Sequence, residues 1–287
     1  MGFLKELWRL TRFEHAVMLA IAVLIGEAVI IGSLPQLTIP IILSLLVPML
    51  SEAGSFALND YLDVESDRIN GETERPLVKG TISRQFALLF SMFCICESLI
   101  LAYFINMPAF IIALVFNALA VLYNWKLKGM ALVGNAYIAL TMAIPFLFGD
   151  FVVSTRLVPL AVVLAILGFV SGLAREMLKT VQDMKGDLEA RGARTLPMLI
   201  GARNTILIST ILYAVFIPMS LAPFDFGLRF GIAPGACVML ADAAILWSTV
   251  QLVIVHGEGT PGALKEARNI SLIALFLGLA GYLIAVV

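Results

Sequence analysis

The sequence predicts an all-α protein that crosses a membrane nine times, and three observations carry that expectation. Apolar residues fill 61% of the 287 positions and charged residues only 14%, against about 45–50% and about 25% in soluble domains. The apolar residues gather in nine runs, each close to the roughly 20 residues a helix needs to cross the hydrocarbon layer. Nearly all Lys and Arg fall in alternate connections, which fixes an orientation.

Residues 1–12 are amphipathic and place Lys5, Arg9 and Arg12 ahead of a full-length apolar run, which is not the plan of a cleavable leader. Spans are expected at roughly 15–34, 39–61, 85–104, 108–124, 131–152, 157–182, 203–222, 232–255 and 269–287. Proline marks tight turns at 34–39 and 104–108; the connections 62–84 and 183–202 are long and charged, and 256–268 is intermediate. With the N-terminus inside, every Lys and Arg except Arg156 and Arg229 lies on the cytoplasmic side. The expectation is a multi-pass protein of the cell membrane with a cytoplasmic N-terminus. A net charge of −1 implies no bulk electrostatic partner such as nucleic acid. Cys94, Cys96 and Cys237 lie inside apolar runs, without ligand or disulfide spacing, and read as small core residues. Residues 1–287 read as one domain.

Two acidic clusters interrupt the oily pattern. The first is Asn59-Asp60-Tyr61-Leu62-Asp63-Val64-Glu65-Ser66-Asp67; the second is Asp183-Met184-Lys185-Gly186-Asp187, with Arg175, Glu176 and Lys179 upstream. They end the second and sixth spans, four helices apart, as a duplicated four-helix unit plus a ninth helix would place them. Both fall on the cytoplasmic side, where soluble phosphorylated metabolites are made. Carboxylates at a membrane are costly, so a chain that groups them uses them.

On a helix, Asn59, Asp63 and Asp67 step by four and share one face. Three oxygen-bearing side chains in a stripe repel unless a cation sits among them. Arg175, Lys179, Asp183 and Asp187 also step by four, two cations and then two carboxylates. That row suits an anionic ligand with a bridging Mg²⁺, which takes one or two carboxylates together with substrate phosphates and water. The alternative is a set of solvated carboxylates paired with nearby Lys and Arg. Gly186 reads as the end of the sixth helix, with Asp187 just beyond it. Glu27, Glu52, Glu97, Asn117, Asn135 and Asp242 are polar residues in or near spans. Glu52 shares the Asn59 face one layer deeper, whereas Glu97 and Asp242 are expected to bond between helices. His15 and His256 are too far apart to suggest a metal pair.

Asn59-Asp60-x-x-Asp63-x-x-x-Asp67 and Asp183-x-x-x-Asp187 resemble the two aspartate-rich motifs of the UbiA superfamily of intramembrane prenyltransferases. The nine spans and the placement of the motifs agree, and the resemblance covers nearly the whole chain. It implies transfer of an isoprenoid chain from an allylic diphosphate to an acceptor, with Mg²⁺. The metal set it implies is Asn59, Asp63, Asp67, Asp183 and Asp187, with Asp60 pointing away or supporting the set. Arg68, Lys126 and Lys179, and after them Arg75, Lys79 and Arg175, are the candidates for diphosphate oxygens. Tyr123-Asn124-Trp125-Lys126 resembles a Tyr/Lys pair found between the motifs in that superfamily. This makes Tyr123 and Lys126 catalytic candidates beside the four aspartates, with Lys128 read as ordinary cytoplasmic-side charge.

Three further stretches are similar to the branch of the superfamily that builds archaeal ether lipids. They are Glu74-Arg75-Pro76-Leu77-Val78-x-Gly80-x-Ile82-Ser83, Ala193-Arg194-Thr195-Leu196-Pro197 and Ala267-Arg268-Asn269. That branch implies transfer of geranylgeranyl from geranylgeranyl diphosphate to the free hydroxyl of geranylgeranylglyceryl phosphate. Arg12, His15, Lys265 and Arg268 are candidates for the acceptor's own phosphate. Arg12-Phe13-Glu14-His15 departs from the branch and matches some quinone-pathway relatives, so an aromatic quinone precursor, a porphyrin or a chlorin is the alternative acceptor. A transporter fits poorly, because the carboxylates gather at one membrane face, and a non-catalytic scaffold would not need so complete a ligand set.

Overall fold

The computed structural model describes residues 2–69, 71–154, 156–192, 194–255 and 260–286. Among these the regular elements are helical: α1 (Phe3–Thr11), α2 (Phe13–Ile31), α3 (Ile39–Ile69), α4 (Pro76–Lys79), α5 (Arg84–Ile105), α6 (Met107–Trp125), α7 (Val133–Val153), α8 (Pro159–Arg191), α9 (Leu196–Ile200), α10 (Ala202–Met219), α11 (Ala222–Asp225), α12 (Ile232–Val255) and α13 (Pro261–Val286). A single 3₁₀ turn, Leu127–Gly129, joins α6 to α7. Among the described residues nine helical stretches are long and apolar enough to cross a membrane, as the sequence predicts.

Three boundaries differ from the hydropathy reading. α3 continues through the whole first motif to Ile69, and α13 begins at Pro261, well before 269. α8 runs through Gly186 to Arg191 and stops at Gly192, whose φ of 57° is the left-handed turn that ends it. One interior glycine costs only about 1 kcal/mol, too little to break a helix of 33 residues. Hydropathy marks where the chain leaves the lipid; the hydrogen-bonded helix carries on, and that continuation keeps Asp183 and Asp187 on one face.

The helices pack closely where side chains are small. α2 lies against α7 because Gly26 and Gly149 have no Cβ: one added at Gly149 would stand 2.5 Å from the Val23 carbonyl oxygen, and one at Gly26 2.7 Å from that of Phe146. The main core joins α2, α7, α8, α10, α12 and α13 through Ile25, Phe146, Leu164, Ile206, Tyr213 and Ile245. A smaller cluster of Leu10, Ala57, Val64, Leu77, Ile82 and Ala87 seats α1 and the 76–82 segment on α3. Most intramembrane polar groups are answered in pairs. Ser44 donates to Glu27, Asn135 donates to Thr180 at 2.7 Å, Asn117 to Ser98 at 3.1 Å, and Ser220 to Asp242 at 2.7 Å. The Asp242 bond crosses from α12 to the end of α10 as expected; Glu97 makes no such bond among the described residues. His256 lies outside the described residues.

Candidate active site

One cavity of about 1030 Å³ runs between α2, α3, α7, α8, α10, α12 and α13. Its lining follows α8 from Asp187 down to Leu164, which at 1.5 Å per residue is about 35 Å of helix. The charged residues crowd the end that carries both motifs. Below them the lining is largely apolar, with Met142, Phe146, Leu164 and Leu275 among it.

The α3 wall is a lattice of opposite charges. Asn59 donates to Asp63 at 2.8 Å, and the Lys128 ammonium donates to Asn59 Oδ1 at 2.9 Å and to Asp63. Asp60, only 2% exposed, accepts from Arg12 at 3.1 Å and from Arg75 at 3.0 Å. Arg75 also reaches Asp67 at 2.7 Å. Each cation arrives by a distinct local device. The left-handed backbone of Arg12 (φ 45°) breaks α1 from α2 and turns the side chain over the Phe56 ring, 4.2 Å from its centre. Arg75 is the residue before Pro76, extended at φ −67°, ψ 134°, and held by the small core beneath α4. Lys128 sits in the 3₁₀ turn that swings the chain from α6 toward α3. Burial pulls the Arg12 guanidinium below its ordinary range, against the pull of Asp60. Burial acts the same way on Arg75, but Asp60 and Asp67 outweigh it and leave that guanidinium above its ordinary range.

The facing wall is α8, with Arg175, Lys179, Asp183 and Asp187 on the cavity side, joined by Arg268 of α13. Arg268 donates to Gln182 Oε1 at 2.5 Å. Where the walls approach, the Arg194 amide donates to the Gly129 carbonyl at 3.2 Å, tying the segment after α8 to the turn that carries Lys128. Beneath the carboxylates Tyr123 and Tyr137 stack with centres 4.8 Å apart, and both line the cavity.

The cavity therefore gathers Asn59, Asp67, Arg75, Tyr123, Arg175, Lys179, Asp183 and Asp187 from the sequence-derived set, with Asp63 held to it through Asn59 and Lys128. Arg12, His15, Glu52 and Arg268 line it as well. Four candidates lie elsewhere. Arg68 is one position round the helix from Asp67 and pairs with Glu65 at 3.1 Å, its side chain 55% exposed. Lys79 points outward near Glu74 at 4.0 Å, also largely exposed. Lys126 is exposed at the end of α6, and Lys265 is exposed on α13. Lys128 takes the cavity position that the sequence reading gave to Lys126, because the 3₁₀ turn intervenes. Tyr137 was missed; its signal was the row Gly134, Tyr137, Ile138, Thr141, Met142 on one face of α7.

The sequence profile of the UbiA prenyltransferase family matches residues 17–273. The chain belongs to that family. Digeranylgeranylglyceryl phosphate synthase of Archaeoglobus fulgidus is 35% identical over 286 residues, covering 98% of this chain and 94% of the relative. The enzyme of that name from Thermococcus kodakarensis is 35% identical over 283 residues, covering 98% of both chains. A solved structure described as giving insight into digeranylgeranylglyceryl phosphate synthase in membranes superposes with a TM-score of 0.75 at 25% identity, covering 100% of this chain and 99% of that one. A UbiA homologue from Aeropyrum pernix shares the fold at a TM-score of 0.78 and 18% identity, covering 95% and 98% of the two chains. As a UbiA prenyltransferase, the chain is a multi-pass membrane enzyme that transfers prenyl groups.

The donor chemistry of this UbiA site fits a hard cation. The cavity is lined at its charged end by carboxylate and amide oxygens from two helices, the ligand type of Mg²⁺ and not of soft metals. Among the described residues no three His, Cys, Asp or Glu side chains come close enough to form a metal cage by themselves. A set of this kind suits Mg²⁺ that arrives with phosphate oxygens completing its octahedron.

Proposed function

We propose that this protein transfers a geranylgeranyl group from geranylgeranyl diphosphate to the free hydroxyl of geranylgeranylglyceryl phosphate, acting as a digeranylgeranylglyceryl phosphate synthase in archaeal ether-lipid synthesis. One observation carries the reading: two carboxylate motifs on separate helices open onto one cavity whose remaining length is largely apolar. Full-length relatives with that name support the choice of substrates. A UbiA homologue from A. fulgidus bound to GPP and Mg²⁺ shares this fold at a TM-score of 0.67 and 21% identity.

In the proposed reaction the allylic C–O bond breaks and diphosphate leaves with the bonding electrons. The glycerol oxygen then bonds to the allylic carbon and loses its proton. Asn59, Asp63, Asp67, Asp183 and Asp187 would hold Mg²⁺, which when bound would supply positive charge for the leaving group. Arg75 and Lys128 add preorganised charge at the same end. The stacked Tyr123 and Tyr137 rings offer π faces toward the developing cation, worth about 0.5–2 kcal/mol. The apolar lower cavity keeps water from quenching that cation. The Lys and Arg bias supports a cytoplasmic setting for this end and for the N-terminus.

The test is mass analysis of the product formed by purified protein, Mg²⁺, geranylgeranyl diphosphate and geranylgeranylglyceryl phosphate. The expected product is the diether phosphate. Prenylation of a quinone precursor or a chlorin with the glyceryl phosphate inert would overturn the reading.

A further inference from the structure

The two walls of the cavity use their cations differently. On the α3 wall Arg12, Arg75 and Lys128 each donate to a carboxylate of the first motif. On the opposite wall Arg175 Nε and Arg268 Nε are enclosed, yet among the described residues neither has a hydrogen-bond acceptor. Among the described residues the hydrogen-bond acceptor of Arg268 is the neutral carbonyl of Gln182. Lys179 lies on α8 between Arg175 and Gln182, on the cavity face, so the three cations span about two helical turns. Arg175 and Arg268 repel one another, and Glu176 is the buried carboxylate among them. Two guanidinium forks and an ammonium against the carboxylates of Glu176 and Asp183, with N–H groups left over, form a site for an anion bearing several oxygens.

We propose that Arg175, Lys179 and Arg268 seat the phosphate monoester of the lipid acceptor, apart from the diphosphate at the aspartate motifs. This assignment rests on the proposed reaction, which has two phosphorylated substrates. The reacting hydroxyl of the acceptor is on the carbon next to the one that carries the phosphate ester. Holding the phosphate within about two turns of Asp183 therefore also keeps the nucleophile close to the charged end of the cavity. Arg268 comes from α13 and Arg175 from α8, whereas Arg75 and Lys128 are bonded to the aspartates of α3.

Calorimetric binding of geranylgeranylglyceryl phosphate and of its dephosphorylated glyceryl ether to full-length protein in detergent, beside steady-state kinetics, tests the seat. Arg268→Gln and Arg175→Gln are each expected to weaken binding of the phosphorylated ether about 10- to 100-fold, while binding of the neutral ether and KM for geranylgeranyl diphosphate stay within about twofold. Arg268→Lys, which keeps the charge, recovers part of the loss, a rescue that a misfolded variant would not show. Unchanged preference for the phosphorylated ether in both Gln variants, or a rise in KM for the diphosphate instead, overturns the seat. If the wild-type protein binds the phosphorylated ether through Arg268 but transfers nothing to it, the proposed reaction falls and the seat stands.

Discussion

Lys126 and Lys128 are two residues apart, and the structure gives them opposite settings. Lys126 is exposed after α6, whereas Lys128 bonds Asn59 Oδ1 at 2.9 Å and Asp63 on the cavity wall. Replacing Lys128 by Met removes two charge-assisted hydrogen bonds, each worth about 1.5–3 kcal/mol. The Lys128 side chain keeps 22% of its exposure, so solvent screens part of that and about 3 kcal/mol is a reasonable total. Lost at the transition state, this is about 150-fold in kcat/KM. Asp63, 5% exposed, also loses its cation, and the melting temperature should fall by several degrees. Lys126→Met touches none of these contacts and should hold kcat/KM within about threefold. The assay is transfer of radiolabelled geranylgeranyl into the lipid fraction, with thermal unfolding in the same detergent. Equal losses in the two variants, or a Lys128→Met enzyme of normal activity, would refute the reasoning.

Asp63→Ala and Asp183→Ala should each abolish turnover while the helical circular dichroism persists; normal activity in either contradicts a metal role. Chelation by EDTA should stop transfer and weaken geranylgeranyl diphosphate binding, both restored by added Mg²⁺; binding that ignores the chelator argues against a shared metal-diphosphate site. Arg75→Gln should cost about 2 kcal/mol, because Asp60 and Asp67 stay buried beside it. The Arg75→Gln/Asp67→Asn double variant should lose less than the sum of the single changes, and strict additivity would dissolve the pair. Gly149→Ala puts a methyl group 2.5 Å from the Val23 carbonyl oxygen and should cost about 1–3 kcal/mol in a denaturation series; an unshifted midpoint means that α2 and α7 separate freely.

The spans were legible because lipid imposes one rule on every turn of helix, and that rule writes itself as apolar length. Their ends were less so. The segments 62–69 and 185–191 are polar enough to read as loops, yet they stay helical, since their backbone bonds are satisfied within the helix whatever the side chains meet. The shared faces of the motif aspartates were legible because their spacing is a helical spacing, and Asp67, Asp183 and Asp187 line one cavity from two helices. The cations were harder. A Lys or Arg side chain reaches far, so its destination depends on how the backbone turns beneath it. The 3₁₀ turn at Leu127–Gly129 moves Lys128 inward, and the position of Arg68 one residue past Asp67 turns it outward to Glu65. Arg12 joins the site through a left-handed residue that no apolar pattern encodes. Arg175 and Arg268 lie 93 positions apart and belong together only once α8 and α13 have packed.

Charge balance gives the first motif its logic. Asp60, Asp63 and Asp67 are 2%, 5% and 3% exposed, and three such charges could not stay ionised there alone. Arg12, Arg75 and Lys128 match them one for one, so these three cations are already answered before a diphosphate arrives. In the proposed reaction a divalent cation would enter with that substrate, and Arg75 and Lys128 would then be left to face phosphate oxygens. Asp60 differs from its neighbours in this exchange. It bonds both guanidinium groups and is the least exposed of the three, so it keeps Arg12 and Arg75 at the mouth of the site whatever Asp63 and Asp67 hold. Asp60, which the family resemblance gave as pointing away from the metal set or supporting it, is thus the carboxylate that fixes the cations around it.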